Sequence, residues 1–325
     1  MTIPSYRAPA WLPGSHAQTI WPLLIKGPLP PYRRERWETP DGDFIDLDWV
    51  DGATGAPCVV LFHGLEGSSR SHYARRLMHA ASRRGWHGVV VHFRGCSGEP
   101  NRLARAYHSG DSPEIDWVLR RLRAASHAAL FAAGVSLGGN ALLKWAAELG
   151  AEADAPAMAI AAVSVPLDLA AANDSLSAGF NLVYARHFLR TLIPAAQAKH
   201  RRFPGRFDLH RALAARTLRD FDDAVTAPLH GFAGADDYYA RSSAGPLLGQ
   251  IRLPTLLLHA FNDPFLPPAA LPRAERLPPA VRLELFPHGG HVGFVQGPPP
   301  GQLDWMPERV LAHFAEQLPA VAHVR

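Results

Sequence analysis

The sequence predicts a doubly wound α/β fold: a mostly parallel sheet with antiparallel strands at its N-terminal edge and a helical insertion late in the chain. Three observations carry the prediction. Short continuous apolar runs recur at 58–62, 89–93, 130–135, 158–165, 255–260 and 281–286, each bounded by turn-forming residues. Runs of this length suit parallel strands buried on both faces. Segments with helical periodicity lie between them, near 71–84, 113–124, 137–149 and 307–317, and strand alternating with helix is the pattern of a parallel sheet covered by helices. Finally, no strand pattern occurs between the run ending at Val165 and the run starting at Thr255.

Taken in order, residues 1–32 are rich in proline, which argues against regular structure, yet they contain Trp11, Leu12, Ile20 and Trp21, which argue for packing. An N-terminal arm laid on the body is expected. Phe44, Ile45, Leu47 and Trp49 alternate with aspartates, and with the segment from 33 they suggest two antiparallel edge strands. The core is expected over 33–166 and 253–325. Phe180, Val183, Tyr184, His187, Phe188 and Leu192 recur at spacings of three and four, one apolar helix face. Stretches 208–220 and 236–248 also read as helical. Residues 167–252 are therefore expected to form a helical cap over the C-terminal ends of the strands.

Composition narrows the function classes. The chain has 325 residues, 47% hydrophobic and 19% charged, an ordinary globular balance that excludes a disordered or coiled-coil chain. The net charge is +4, but the arginines are scattered in pairs and form no nucleic-acid-reading module. Two cysteines, Cys58 and Cys96, cannot build a disulfide framework or a four-cysteine zinc site and read as free thiols. No signal-peptide pattern and no apolar run long enough to span a membrane is visible. A cytoplasmic protein without a metal or cofactor, monomeric or a small homo-oligomer, is expected.

The strongest chemical signal is Gly134-Val135-Ser136-Leu137-Gly138-Gly139, placed between an apolar strand and a helical run. A serine on such a sharp turn stands at a helix N-terminus, where N–H groups and the helix dipole favour developing negative charge. A hydroxyl needs a base oriented by an acid. Asp263 follows the strand at 255–260 and fits the acid; His291, in the glycine-rich loop after 281–286, fits the base, with His288 as the alternative. Two backbone donors should hold an oxyanion. Leu137 is one; Leu65, in His63-Gly64-Leu65-Glu66-Gly67, is the other, with Gly64 or Glu66 as alternatives. His63 reads as a prop for that loop and Arg94-Gly95-Cys96-Ser97-Gly98 as a pocket rim. Phe180, Val183, Tyr184 and Phe188 are candidates for an acyl-binding wall.

These pieces resemble the YheT-type branch of the α/β-hydrolases, the AB hydrolase 4 family. The resemblance rests on His16-Ala17-Gln18-Thr19, His63-Gly64-Leu65-Glu66-Gly67, Phe93 to Asn101, Tyr107-His108-Ser109-Gly110, Gly134 to Asn140, Asn262-Asp263-Pro264 and Gly290 to Phe294, which span almost the whole chain. It implies an α/β-hydrolase fold and a carboxylic-ester hydrolase with the triad Ser136, Asp263 and His291. The implied substrates are small-molecule esters: short- to medium-chain esters, acylglycerols or phospholipids. Acyl transfer to an alcohol is the alternative activity, and a non-catalytic scaffold a more remote one. Ala17 stands where a leucine is usual.

Overall fold

The computed structural model describes residues 4–125, 129–152 and 154–319. Eight strands form one sheet: β1 (Arg33–Glu38), β2 (Phe44–Val50), β3 (Cys58–Phe62), β4 (His87–Val91), β5 (Leu130–Val135), β6 (Ala159–Val163), β7 (Thr255–Ala260) and β8 (Val281–Phe286), in the order β1-β2-β4-β3-β5-β6-β7-β8. β1 pairs antiparallel with β2 and β2 antiparallel with β4; every later pairing is parallel. The chain starts at one edge, crosses to the centre, then adds strands outward from β3, the doubly wound pattern.

Side-chain alternation along each central strand feeds two apolar layers. In β3, Cys58, Val60 and Phe62 join one layer and Val59 and Leu61 the other. The first layer is covered by helices α3 (Ser112–Ala124) and α4 (Leu137–Leu149), the second by α2 (His72–Arg83) and α11 (Trp305–Ala315). The arm carries helix α1 (Ser15–Ile20), and Tyr6 is buried edge-on against Phe286 and Phe294. β4 ends at Val91, two residues earlier than the apolar run suggests. The run turns there because the Phe93 N–H donates to the His63 ring rather than continuing a ladder.

Between β6 and β7 the described residues form helices only: α5 (Leu169–Leu176), α6 (Leu182–Arg202), α7 (Leu209–Ala214), α8 (Leu218–Phe221), α9 (Ala227–His230) and α10 (Ala235–Ser242), with shorter turns. The expected helix over 208–220 is two helices. The chain leaves helical geometry at Ala215, and Thr217 restarts it with a capping box closed by Asp220, which satisfies two orphan N–H groups at once. Likewise 236–248 divides into α10 and a 3₁₀ turn beginning at Gly245. Leu189, Ala212, Leu218 and Phe221 bury against one another and against Phe265 and Leu266, which follow β7.

Candidate active site

Ser136 lies between β5 and α4 with φ 52° and ψ −120°, a conformation costly for a residue with a Cβ. Its surroundings impose it. The Ser136 N–H donates to Val163 O of the neighbouring strand (2.9 Å). A Cβ on Gly134 would stand 2.6 Å from Gly138 O, and one on Gly138 would overlap the carbonyls of Phe62 and His63. The glycines of this turn therefore answer a close approach between backbones, and α4 points its free N–H end at the hydroxyl. Asn140, fully buried, secures the other side: its amide donates to Ser109 O (2.8 Å) and Ser242 O (2.7 Å) and accepts from Ala244 N–H (2.9 Å).

The fold brings together the three side chains expected from the sequence. His291 Nε2 is 3.1 Å from Ser136 Oγ, and His291 Nδ1 is 2.8 Å from Asp263 Oδ2. Asp263 is 4% exposed, and its other oxygen accepts the Phe265 N–H at 2.9 Å. The Phe265 ring stacks on the imidazole at 4.1 Å. A buried carboxylate beside Nδ1 fixes the tautomer that leaves Nε2 free to accept the serine proton. His288, the alternative base, is exposed.

The loop after β3 is held by hydroxyls. Gly64 N–H donates to the Tyr73 hydroxyl and Glu66 N–H to the Tyr107 hydroxyl, both at 2.9 Å. Of the three candidate donors, these two are engaged, whereas the Leu65 N–H has no protein acceptor among the described residues. His63 props this loop: Nδ1–H donates to Gly64 O (2.8 Å), and Nε2 accepts from Phe93 N–H (3.2 Å). Complete burial lowers its pKa to about 3, so it is a neutral scaffold. Arg94 and Gly95 do border the cavity, and the Arg94 guanidinium is tied to Asp41, Asp43 and Glu114. Both cysteines are free, and burial raises both thiols well above their usual range, which suppresses the reactive thiolate.

Ser136, Leu137, Leu65 and His291 open into a cavity of about 200 Å³ that is continuous with solvent. Its walls are mostly apolar, with Leu176, Phe188, Leu192, Leu218, Phe221 and Phe265 among them. Of the four aromatic and aliphatic residues expected on the acyl wall, Phe188 lines the cavity. Phe180 and Val183 lie outside it, 53% and 49% exposed. Tyr184 is also outside, between Phe265 and His16. The helix presents Phe188, Leu192, Ala195 and Lys199 to the cavity, which turns Val183 to solvent, and Phe180 precedes the helix in a 3₁₀ turn.

Sequence reasoning missed what holds the His291 loop. Four consecutive N–H groups each donate to a side chain: Gly289 to Gln18 Oε1 (2.9 Å), Gly290 to Asn262 Oδ1 (3.0 Å), His291 to Thr19 Oγ1 (2.9 Å) and Val292 to Ser164 Oγ (3.1 Å). Gln18 Oε1 also accepts from Asn262 Nδ2 at 3.0 Å, so the arm joins the Asp263 loop to the His291 loop. A Cβ on Gly293 would overlap Gln18 O, and one on Gly290 would stand 2.8 Å from Thr19 N. The only sequence signal was His16-Ala17-Gln18-Thr19 itself, whose role could not be read before its partner loop, some 270 residues later, was in place.

Comparison with known proteins bears on the family and the fold. The family described as alpha/beta hydrolase fold matches residues 57–298. An Escherichia coli (strain K12) protein named "Putative esterase YheT" is 45% identical over 91% of this chain and 88% of its own length. "Phospholipase ABHD3" of Mus musculus is 32% identical over 98% of this chain and 80% of its own. The solved esterase of Exiguobacterium antarcticum shares the fold, with a TM-score of 0.53 at 17% identity over 87% of this chain and 98% of that one. By its sequence matches and its architecture together, the chain belongs to the α/β-hydrolase family, in its YheT-type branch.

Proposed function

We propose that this protein is a serine hydrolase that cleaves carboxylic esters of short to medium acyl chains, acylglycerols among them, through an acyl-serine intermediate. The observation that supports this most is the continuous run Asp263–His291–Ser136, with contacts of 2.8 and 3.1 Å, at the wall of an apolar cavity. His291 Nε2 takes the Ser136 proton as Oγ bonds to the acyl carbon. Asp263 stabilises the resulting imidazolium. The carbonyl oxygen, now anionic, accepts from the N–H groups of Leu65 and Leu137; such a donor is typically worth about 3–4 kcal/mol in the transition state. Collapse of the tetrahedral species breaks the ester C–O bond, and His291 returns its proton to the departing alkoxide. Water, deprotonated by the same imidazole, then attacks the acyl-serine; collapse breaks the acyl C–Oγ bond, the imidazolium returns its proton to Ser136 Oγ, and the acid is released.

In this reading residues 167–252 act as a cap that walls the cavity, residues 1–32 as an arm on the core, and the protein works in the cytoplasm as a monomer or small homo-oligomer. The names of the relatives, an esterase and a phospholipase, agree with ester chemistry. A series of nitrophenyl esters from acetate to long chains, run on wild type and Ser136→Ala with a fluorophosphonate label in parallel, tests it. Hydrolysis that peaks at one chain length, with labelling and turnover both lost in the variant, is expected. Turnover undiminished in Ser136→Ala would overturn it.

A further inference from the structure

Large apolar side chains are exposed at few places among the described residues, and most of those places adjoin one another. Ile20, Leu23 and Leu24 project from the arm, Phe180 and Val183 from the turn before α6 and its first residues, and Phe261 from just after β7, with Leu24 at 71% exposure. These segments touch: the His16 ring is 4.4 Å from Phe180, and Asn262, next to Phe261, donates to Gln18. Trp11 and Trp21 pack together beside them, half-buried, with their indole N–H groups donating to Gly297 O and Pro300 O. A patch of this kind marks an interaction site rather than chance exposure.

Charge says what kind. Residues 4–32 and 176–207 contain no aspartate or glutamate, while both carry cations. Lys26, Arg186 and Arg190 are exposed, and none has a carboxylate partner among the described residues. A surface built largely from acid-free segments, with protruding leucines and phenylalanine, half-buried tryptophans and unpaired cations, matches the requirements of an interfacial anchor: apolar groups for the acyl boundary, indoles for the headgroup level, cations for anionic lipid. A second copy of the same face would instead bring like charges together.

We propose that this face docks the protein on the surface of an anionic lipid bilayer, and this deepens the hydrolase reading by making membrane-held acyl esters its substrates. The patch lies close to the chemistry. Rings connect it to the imidazole in steps: His16 against Tyr184, Tyr184 to Phe265 at 4.8 Å, and Phe265 to His291 at 4.1 Å. Docking through the arm and the start of α6 therefore brings the layer to within three ring contacts of His291.

The test is co-sedimentation of the full chain with phosphatidylcholine vesicles, with and without phosphatidylglycerol. Binding to the anionic vesicles is expected, weakened on neutral ones and by added salt. The double variants Leu23→Ser/Leu24→Ser and Arg186→Glu/Arg190→Glu should each lower the bound fraction roughly tenfold, while leaving the melting temperature and the hydrolysis of a water-soluble nitrophenyl ester unchanged. Equal sedimentation of wild type and both variants overturns the proposal. So does light scattering that shows a dimer lost in Leu23→Ser/Leu24→Ser, because a second copy then covers the face. Vesicle binding without any ester turnover would retain the docking surface and refute the hydrolase reading; turnover without vesicle binding would do the reverse.

Discussion

Ser136 and His291 face each other across 3.1 Å, but they are held by different means. The serine sits where a strand runs into a helix, and its own backbone is set locally and by adjacent strands, with Gly134 and Gly138 on either side and the Val163 carbonyl beside it, while Asn140 ties the turn to Ser109, Ser242 and Ala244. The histidine sits in a loop with no ladder of its own. Its backbone is fixed by four borrowed oxygens, two of them from an arm near the N-terminus. An elbow built this way tolerates no added atom near its glycines, whereas a loop built this way depends on distant hydroxyls and amides. Half the site is thus a property of a motif and half a property of assembly.

Breaking each half should separate them. Ser136→Ala has the largest expected effect on rate, a loss on the order of 10⁶ in kcat with the fold intact, read by ester turnover and thermal melting together. Gly138→Ala places a methyl against the Phe62 and His63 carbonyls. It should destabilise by about 1–3 kcal/mol and remove activity by moving the elbow, seen as a lower melting temperature. Gln18→Ala leaves the elbow untouched but releases Gly289 and Asn262. Because a displacement of about 1 Å far from the chemistry can cost 10²-fold, kcat should fall by roughly that factor with KM little changed. An unchanged kcat would show that the arm only covers the loop. Thr19→Val should act in the same direction and Thr19→Ser should restore the rate, since the serine hydroxyl can still accept the His291 N–H.

A separate effect is expected on pH. Burial lowers the pKa of His63 to about 3 and of His72 and His259 to about 4, against 6.5 for an open imidazole. Above pH 6.5 folded and unfolded chains both carry these rings neutral, so their contribution is fully present there. As pH falls below that value the unfolded chain takes up protons the folded one refuses, and stability declines toward pH 4, by at most about 1.4 kcal/mol per pH unit for each ring. His259, whose ring nitrogens have no partner among the described residues, is the clean probe: His259→Leu should flatten the decline between pH 6.5 and 4 in thermal melts.

Much of this was legible beforehand, for reasons visible in particular residues. Val59 to Leu61, Leu130 to Val135 and Leu256 to Leu258 read as buried strands because both their faces are covered, and they are. The turn Gly134 to Gly139 was legible because steric demand is local. The cavity-facing side of α6 was not: Phe180, Val183, Tyr184 and Phe188 share one periodicity, yet only Phe188 reaches the cavity, since periodicity gives a stripe and not the direction in which the helix is turned. The break at Ala215 was equally hidden, because a capping box at Thr217 outweighs helical propensity on either side.

What the amino-acid order determined alone is the alternation of buried strand and amphipathic helix, the strained serine turn, and the positions of Asp263 and His291 after late strands, because each is dictated by chemistry within a few neighbours. Only tertiary structure decided that Gln18 and Thr19 hold the histidine loop, that Gly64 and Glu66 spend their N–H groups on Tyr73 and Tyr107 while Leu65 keeps its own, and which side of α6 meets the cavity. Those depend on hydrogen bonds and packing between segments up to some 270 residues apart, and such pairings exist only once the sheet has fixed where each segment lies.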